Sequence, residues 1–210
     1  MHKFLLLSGL ASLPLLSAAQ TTPTRFYVGA GVTILSSRPF RNYSSTQTGP
    51  ALTAGVQFTP RLALQLSGGY TWHNASSSYD TYYSGSSTAT FNYESRGKQF
   101  TFPLLLRATL TTPAKPLRVD ALFGPMWLYG TARTTSSVTY QGQTTQNTSD
   151  RYSDNAFSFA LGPALRYTLT PRLELALDAL VNIGLGEDRG DFDDRLFSNV
   201  VAGVHYSFGK

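Results

Sequence analysis

Residues 100–110 read Phe100-Thr-Phe-Pro-Leu104-Leu-Leu-Arg107-Ala-Thr-Leu110. One alternate phase holds Phe100, Phe102, Leu104, Leu106, Ala108 and Leu110; the other holds Thr101, Pro103, Arg107 and Thr109. Successive side chains of a strand point to opposite faces. A period of two over about ten residues therefore describes a sheet segment with one apolar and one polar surface. A helix needs a period of about 3.6, which this stretch lacks.

Outward along the chain, the same alternation recurs in seven further segments. They run from Phe26 to Ile34, Leu52 to Phe58, Leu62 to Trp72, Leu117 to Tyr129, Phe157 to Leu169, Leu173 to Ile183 and Val200 to Phe208. An apolar outside and a polar inside is the arrangement a closed sheet needs when its solvent is lipid. The pattern predicts an all-β fold: an eight-stranded antiparallel up-and-down transmembrane β-barrel.

The connections alternate in length. Short ones follow the second, fourth and sixth strands: Thr59-Pro60-Arg61, Thr111 to Pro116, and Thr170-Pro171-Arg172. Those after the first, third, fifth and seventh strands are about 14, 21, 24 and 10 residues long. Short periplasmic turns and long extracellular loops are the expected asymmetry of such a barrel, with both termini on the periplasmic side. An internal repeat accompanies it. Gly49-Pro-Ala-Leu leads into Thr59-Pro-Arg-Leu62, and Gly162-Pro-Ala-Leu leads into Thr170-Pro-Arg-Leu173. Hairpin duplication and reuse of a good turn both account for it.

The ends and the composition agree with export. His2 and Lys3, the apolar run Phe4 to Leu16 and the small residues Ser17-Ala18-Ala19 form a signal-peptide layout over residues 1–19, leaving residues 20–210 as the barrel domain. There is no cysteine, so an exported chain of this kind relies on a large hydrogen-bonded structure instead of disulfides. No later segment is apolar enough for a spanning helix. Charged residues make up 14% of the chain, well below the roughly 25% of soluble domains. The net charge of +5 is scattered singly, which excludes a nucleic-acid stripe.

The inward phase is predicted to fill the lumen. Glycine falls on it in seven strands (Gly29, Gly31, Gly55, Gly69, Gly124, Gly162, Gly184 and Gly203), making room for large polar neighbours. Pairing Leu110 with Leu117 would set Arg107 directly opposite Asp120 and Arg118 opposite Thr109. Pairing Leu169 with Leu173 sets Arg166 opposite Ala176, diagonal to Glu174 and Asp178. Buried ions need partners, so an interior salt-bridge network of Arg107, Asp120, Arg166, Glu174 and Asp178 is expected. Tyr70, Trp72, Trp127 and Tyr129 should mark one membrane interface, at the long-loop ends of their strands. Phe26, Phe58, Tyr167, Tyr206 and Phe208 should mark the other.

With these features the chain resembles the small outer-membrane β-barrel family, the OmpA/OmpX-type barrels and their relatives in Bacteroidota. The resemblance covers residues 25–210. It rests on the signal peptide, the eight alternating strands, the loop rhythm and the ending Val204-His-Tyr206-Ser-Phe208. That ending resembles the signal read by the barrel-assembly machinery, although Gly209 and Lys210 follow it. The resemblance implies a monomer in the outer membrane of a Gram-negative cell, in contact with outer-membrane lipids and lipopolysaccharide. No cofactor and no catalytic residue are expected. The implied role is non-enzymatic: a plugged barrel serving envelope integrity or surface contact.

Rival readings have specific residues. A soluble lipocalin-like binder would invert the two faces. A barrel enzyme acting on envelope lipids would need a histidine, and His73 with Ser76 and a loop carboxylate is the one arrangement available; His205 lies at the other end. A passive, porin-like pore would need a wider lumen than eight strands leave. The loop Glu187-Asp-Arg-Gly-Asp191-Phe-Asp-Asp194 has a carboxylate density that calcium accepts, at a spacing unlike an EF-hand. Its Arg189-Gly-Asp191 imitates an adhesion tripeptide. The Ser/Thr/Tyr-rich loops 76–92 and 134–149 suit surface contact, as projecting hairpins or mobile tips. Arg38, Arg41, Arg96, Lys98, Arg133 and Arg151 could meet lipopolysaccharide phosphates at the outer rim.

Overall fold

The computed structural model describes residues 24–36, 46–83, 87–140, 143–185 and 195–209. The signal-peptide segment, Arg38, Arg41 and the acidic loop 187–194 lie outside these. Eight strands form one closed antiparallel barrel in sequence order. They are β1 (Arg25–Ser36), β2 (Gln47–Gln57), β3 (Leu62–Tyr83), β4 (Ser87–Thr109), β5 (Leu117–Tyr140), β6 (Gln143–Thr170), β7 (Leu173–Leu185) and β8 (Leu196–Phe208). Closure removes the open strand edges that a sheet in lipid could not satisfy.

Pairing fixes the barrel's shear. From Phe26 the partners run through Val56, Leu64, Leu106, Phe123, Leu161, Val181 and Ser198 and return to β1 at Ser36, ten residues along. Ten residues of rise over eight strand spacings tilt the strands by about 40°. Tyr167 and Phe157 on β6 then stand about 25 Å apart along the barrel axis, the height of an outer-membrane apolar band.

The outer face of that band is apolar. Leu66, Leu104, Leu161 and Leu177 are exposed there, whereas Arg107, Asp178 and Gln65 are buried on the inner phase. The faces of a lipocalin-like binder are thus ruled out. Aromatic rings flank the band: Phe26 and Phe208 stack at the short-turn end (6.1 Å), beside Tyr167 and Tyr206. Tyr70, Phe100, Trp72, Phe102, Trp127 and Tyr129 pair with one another at the other end.

One expectation about strand ends needs correction. Tyr70, Trp72, Trp127 and Tyr129 do not end their strands, because β3 and β4 stay paired to Tyr83↔Ser87 and β5 and β6 to Tyr140↔Gln143. Most of the two longest connections is therefore strand. Their Thr- and Tyr-rich sequences favour extended backbone, and the barrel below supplies the register. A four-stranded sheet projects roughly 30 Å beyond the aromatic belt.

The repeated sequences adopt repeated structures. In both Thr-Pro-Arg turns the threonine hydroxyl accepts from the two amides that follow the proline. Thr59 Oγ1 accepts from Arg61 (3.2 Å) and Leu62 (2.9 Å), and Thr170 Oγ1 from Arg172 (3.3 Å) and Leu173 (3.0 Å). Gly49-Pro50 and Gly162-Pro163 each interrupt the ladder toward the following strand without shifting its register. Proline has no N–H to offer, and the facing carbonyls of Tyr70 and Ala179 lie where a Cβ on Gly49 or Gly162 would sit.

Candidate functional site

Inward charges gather near the short turns because the strand ends place them there. Arg107 is two residues from the end of β4, Arg118 and Glu174 are the second residues of β5 and β7, and His205 lies near the end of β8. Arg107 Nε lies 3.6 Å from Asp120 Oδ2, and Arg166 Nε lies 3.8 Å from the same oxygen. Arg166 also pairs with Asp178 and approaches Glu174 Oε1 at 3.7 Å. Glu174 in turn pairs with Arg118. Three arginines and three carboxylates thus form one neutral chain of contacts. Arg166 is its centre and is fully buried.

A neutral hydrogen-bonding partner completes it. Gln65 on β3 donates to Asp178 Oδ2 (2.8 Å), and its Oε1 accepts from Arg166 (3.2 Å) and Tyr27 (3.2 Å). Tyr27 stacks on His205 with ring centroids 5.3 Å apart, and the Arg107 guanidinium sits 4.9 Å from the Tyr27 ring centre. Glycines make the space: a Cβ on Gly55 would collide with the Tyr27 ring, and one on Gly29 with His205.

All five residues expected in an interior network fall within this chain of contacts, but the register differs at one hairpin and the closing pair at another, where Thr170 and not Leu169 faces Leu173 and Arg166 stays opposite Ala176. Arg107 pairs with Leu122, not Asp120, and Asp120 pairs with Thr109. The turn over 111–116 closes two residues further along than the Leu110–Leu117 pairing assumed: the Leu110 amide donates to the Val119 carbonyl and the Val119 amide to Thr111 Oγ1. A two-residue slip keeps every side chain on its face, so Arg107 and Asp120 still meet, diagonally. Arg118, set opposite Thr109 by the assumed pairing, instead reaches across to Glu174. Arg118 and Gln65 are the residues the sequence reading left out of the network. Their inward phase was legible; their partners lie on non-adjacent strands.

The lumen is also less polar than the alternation suggested. Leu35, Leu105, Leu122, Met126, Leu128, Leu180 and Phe197 point inward and pack with Ala156, Ala160 and Ala164 above the ionic layer. Gln47, Gln99, Thr71 and Thr101 occupy the same height on the β2–β4 side.

The histidine arrangement considered for catalysis is not assembled. His73 lies on the inner phase facing Gly97, while Ser76 is three residues on and exposed on the opposite phase. Among the described residues no three of His, Cys, Asp and Glu cluster as a metal site. On the outer face above the upper aromatic belt, the pairing sets Arg96 beside Arg133 and Arg133 beside Arg151, with Lys98 one step lower on β4. All four are exposed.

The fold has solved counterparts. A major outer membrane protein from Thermus thermophilus superposes with a TM-score of 0.59 at 17% identity, covering 88% of this chain and 99% of that one. Ail, the attachment invasion locus protein of Yersinia pestis, in complex with the heparin analogue sucrose octasulfate, gives 0.45 at 13% identity over 89% and 100%. Neisserial surface protein A gives 0.43 at 17% identity over 87% and 97%. No curated protein matches the sequence. Residues 4–208 match the family described as outer membrane protein beta-barrel domain, so the chain belongs to that family and is an outer-membrane β-barrel protein.

Proposed function

We propose that this protein is a non-enzymatic outer-membrane barrel that acts at the cell surface, through the sheet formed by the outer halves of β3–β6, in envelope integrity or contact with external partners. The continuation of these four strands beyond the aromatic belt carries the reading. Stability of a barrel in lipid does not require paired strand outside the bilayer. The lumen offers no path through the barrel: above its periplasmic mouth it is crossed by the Arg107–Asp120–Arg166–Asp178–Glu174–Arg118 contacts, and the next layer is packed by inward leucines with Gln99 and Thr101 beside them. An eight-stranded barrel plugged in this way conducts poorly. The opposed faces of His73 and Ser76 speak against an envelope-lipid enzyme.

The remaining parts fit the same picture. The signal peptide over residues 1–19 is removed on export. The C-terminal strand, with Tyr206 and Phe208 on its lipid face, engages the barrel-assembly machinery. Arg96, Arg133, Arg151 and Lys98 stand where lipopolysaccharide phosphates lie and bind them by charge-assisted hydrogen bonds. A closed barrel leaves no edge for pairing inside the membrane, so it works as a monomer.

The test excises residues 77–93, joining Ser76 to Glu94 through a two-residue turn. Host cells with wild-type or shortened protein at equal surface level are compared for detergent sensitivity and adhesion, alongside planar-bilayer current. We expect the shortened barrel to assemble, to lose the surface phenotype and to conduct no more than wild type. Unchanged phenotypes together with a steady wild-type current would overturn the reading in favour of a pore.

A further inference from the structure

We infer that the periplasmic mouth of the barrel is a binding site for a phosphate-bearing anion. A cavity of about 350 Å³ opens there, walled by Arg25, Tyr27, Lys115, Arg118, Glu174 and His205, with Arg107 and Arg172 also lining it. Five permanent cations face it and one carboxylate, Glu174. That carboxylate is already committed to Arg118 and Arg166, and Arg107 faces Asp120. Arg25, Lys115 and Arg172 make no ion pair among the described residues. The cup therefore carries an uncompensated positive charge, while the network deeper in the lumen is neutral.

Hydrogen bonding points the same way. His205 is 4% exposed and lines the cup, and its Nδ1 has no hydrogen-bond partner among the described residues; neither has Arg118 Nε. Buried polar atoms are normally satisfied, and both of these are closed to an oxygen-sized contact as the side chains stand, so the donors open to a ligand are those of the exposed Arg25, Lys115 and Arg172. An anion with several acceptor oxygens meets both demands, charge and hydrogen bonding.

The surroundings bear on where such a phosphate comes from. A groove of about 500 Å³ lies on the lipid-facing side, lined by Thr59, Pro60, Arg61, Leu62, Ala108 and Pro113. A further cavity of about 360 Å³ shares Thr59, Pro60 and Pro113 with this groove, and Arg25, Gln57 and Arg118 with the mouth. The lining is thus continuous from the acyl-chain side, beneath the turns after β2 and β4, into the basic cup. A phospholipid of the inner leaflet can lay a chain along Leu62 and Ala108 and turn its headgroup phosphate toward Arg25 and Arg118; free phosphate or a soluble phosphate ester would enter from the periplasm.

The experiment reconstitutes the full barrel in nanodiscs of phosphatidylcholine with or without phosphatidylglycerol. Phosphatidylglycerol retained on release is counted by native mass spectrometry. Separately, glycerol phosphate is titrated into phosphatidylcholine discs while the amides of Thr168 and Ser207 are followed by NMR. Arg25→Gln with Lys115→Gln is the variant, since both side chains are exposed and outside the ionic network, and its assembly is checked by gel mobility. Retention of phosphatidylglycerol that falls about tenfold in the variant identifies a lipid headgroup. Saturable shifts with glycerol phosphate, absent from the variant, identify a soluble phosphate. Neither response in the wild type, or equal responses in wild type and variant, overturns the site.

Discussion

Replacing Arg166 by methionine tests the ionic layer most directly. The substitution keeps side-chain volume roughly similar and removes the charge that three carboxylates share. Two of them keep a cation: Asp120 retains Arg107 at 3.6 Å, and Glu174 retains Arg118. Asp178 does not, and is left with the Gln65 amide at 2.8 Å as its described side-chain partner. Breaking a buried pair on one side costs about 3–5 kcal/mol. With an m-value of about 2 kcal/mol/M, the urea midpoint should fall by roughly 2 M. Adding Asp178→Asn removes the stranded charge, so the double variant should recover to within about 1–2 kcal/mol of wild type, the remainder reflecting lost hydrogen bonds. Asp178→Asn alone should be mild, because Arg166 still has Asp120 and Glu174 within 4 Å. Unfolding in lipid vesicles followed by tryptophan fluorescence and gel mobility reads all three. An Arg166→Met cost below about 1 kcal/mol, or a double variant less stable than Arg166→Met, would refute the argument that desolvated charge pairing holds this layer.

Other expectations follow from the same geometry. Leu104→Arg places a charge on the lipid face near the middle of the band and should destabilise the barrel by about 2–4 kcal/mol, whereas Tyr152→Arg on the projecting sheet should be near neutral by the same urea assay. Gly55→Val drives a side chain into the Tyr27 ring and should cost about 1–3 kcal/mol; pairing it with Tyr27→Leu should restore part of that, and additive losses would contradict the contact. Excision of 77–93 should leave the unfolding free energy within about 0.5 kcal/mol of wild type, since the removed pairs lie outside the bilayer. Exchanging Arg96, Arg133 and Arg151 for glutamine should weaken retention of lipopolysaccharide, and more so at low salt where exposed charges are least screened; unchanged retention would remove this row from the lipid contacts.

The strands and their inward and outward phases were legible because alternation is a local property. Leu64, Leu104 and Leu177 face lipid for the same reason that Arg107 and Asp178 do not: each sits on a definite phase of its own strand. Register was legible only where the turn is tight. Thr170-Pro171-Arg172 closes through Thr170 and Leu173 instead of Leu169 and Leu173, and the irregularity between Thr168 and Thr170 absorbs the difference, so Arg166 still pairs with Ala176. The turn over 111–116 contains two prolines and can close at more than one length, and there the assumed pairing slipped by two residues. The long connections left projecting hairpins and mobile tips both open for a different reason: Ser and Thr suit loops and strands alike, and extended pairing beyond the membrane is decided by the two strands already held side by side below it.

The contacts that matter most could not be read from any strand pair. Arg118 and Glu174 stand on β5 and β7, Gln65 and Asp178 on β3 and β7. Each contact crosses the lumen, and which positions face across it follows from closing eight strands with a shift of ten residues. Shear is a property of the whole circuit, the accumulated result of eight pairings, so one hairpin misjudged by two residues moves every partner across the lumen. The composition nevertheless carried a trace of the outcome. Inward arginines at 107, 118 and 166 are matched in number by inward carboxylates at 120, 174 and 178, all within a few residues of the short turns. Equal and opposite charge at one height is what a closed, desolvated layer demands. At the mouth just below, Arg25, Lys115 and Arg172 break that balance where water reaches the chain. The transition from balanced to unbalanced charge therefore separates the part of the lumen built for stability from the part open to a ligand.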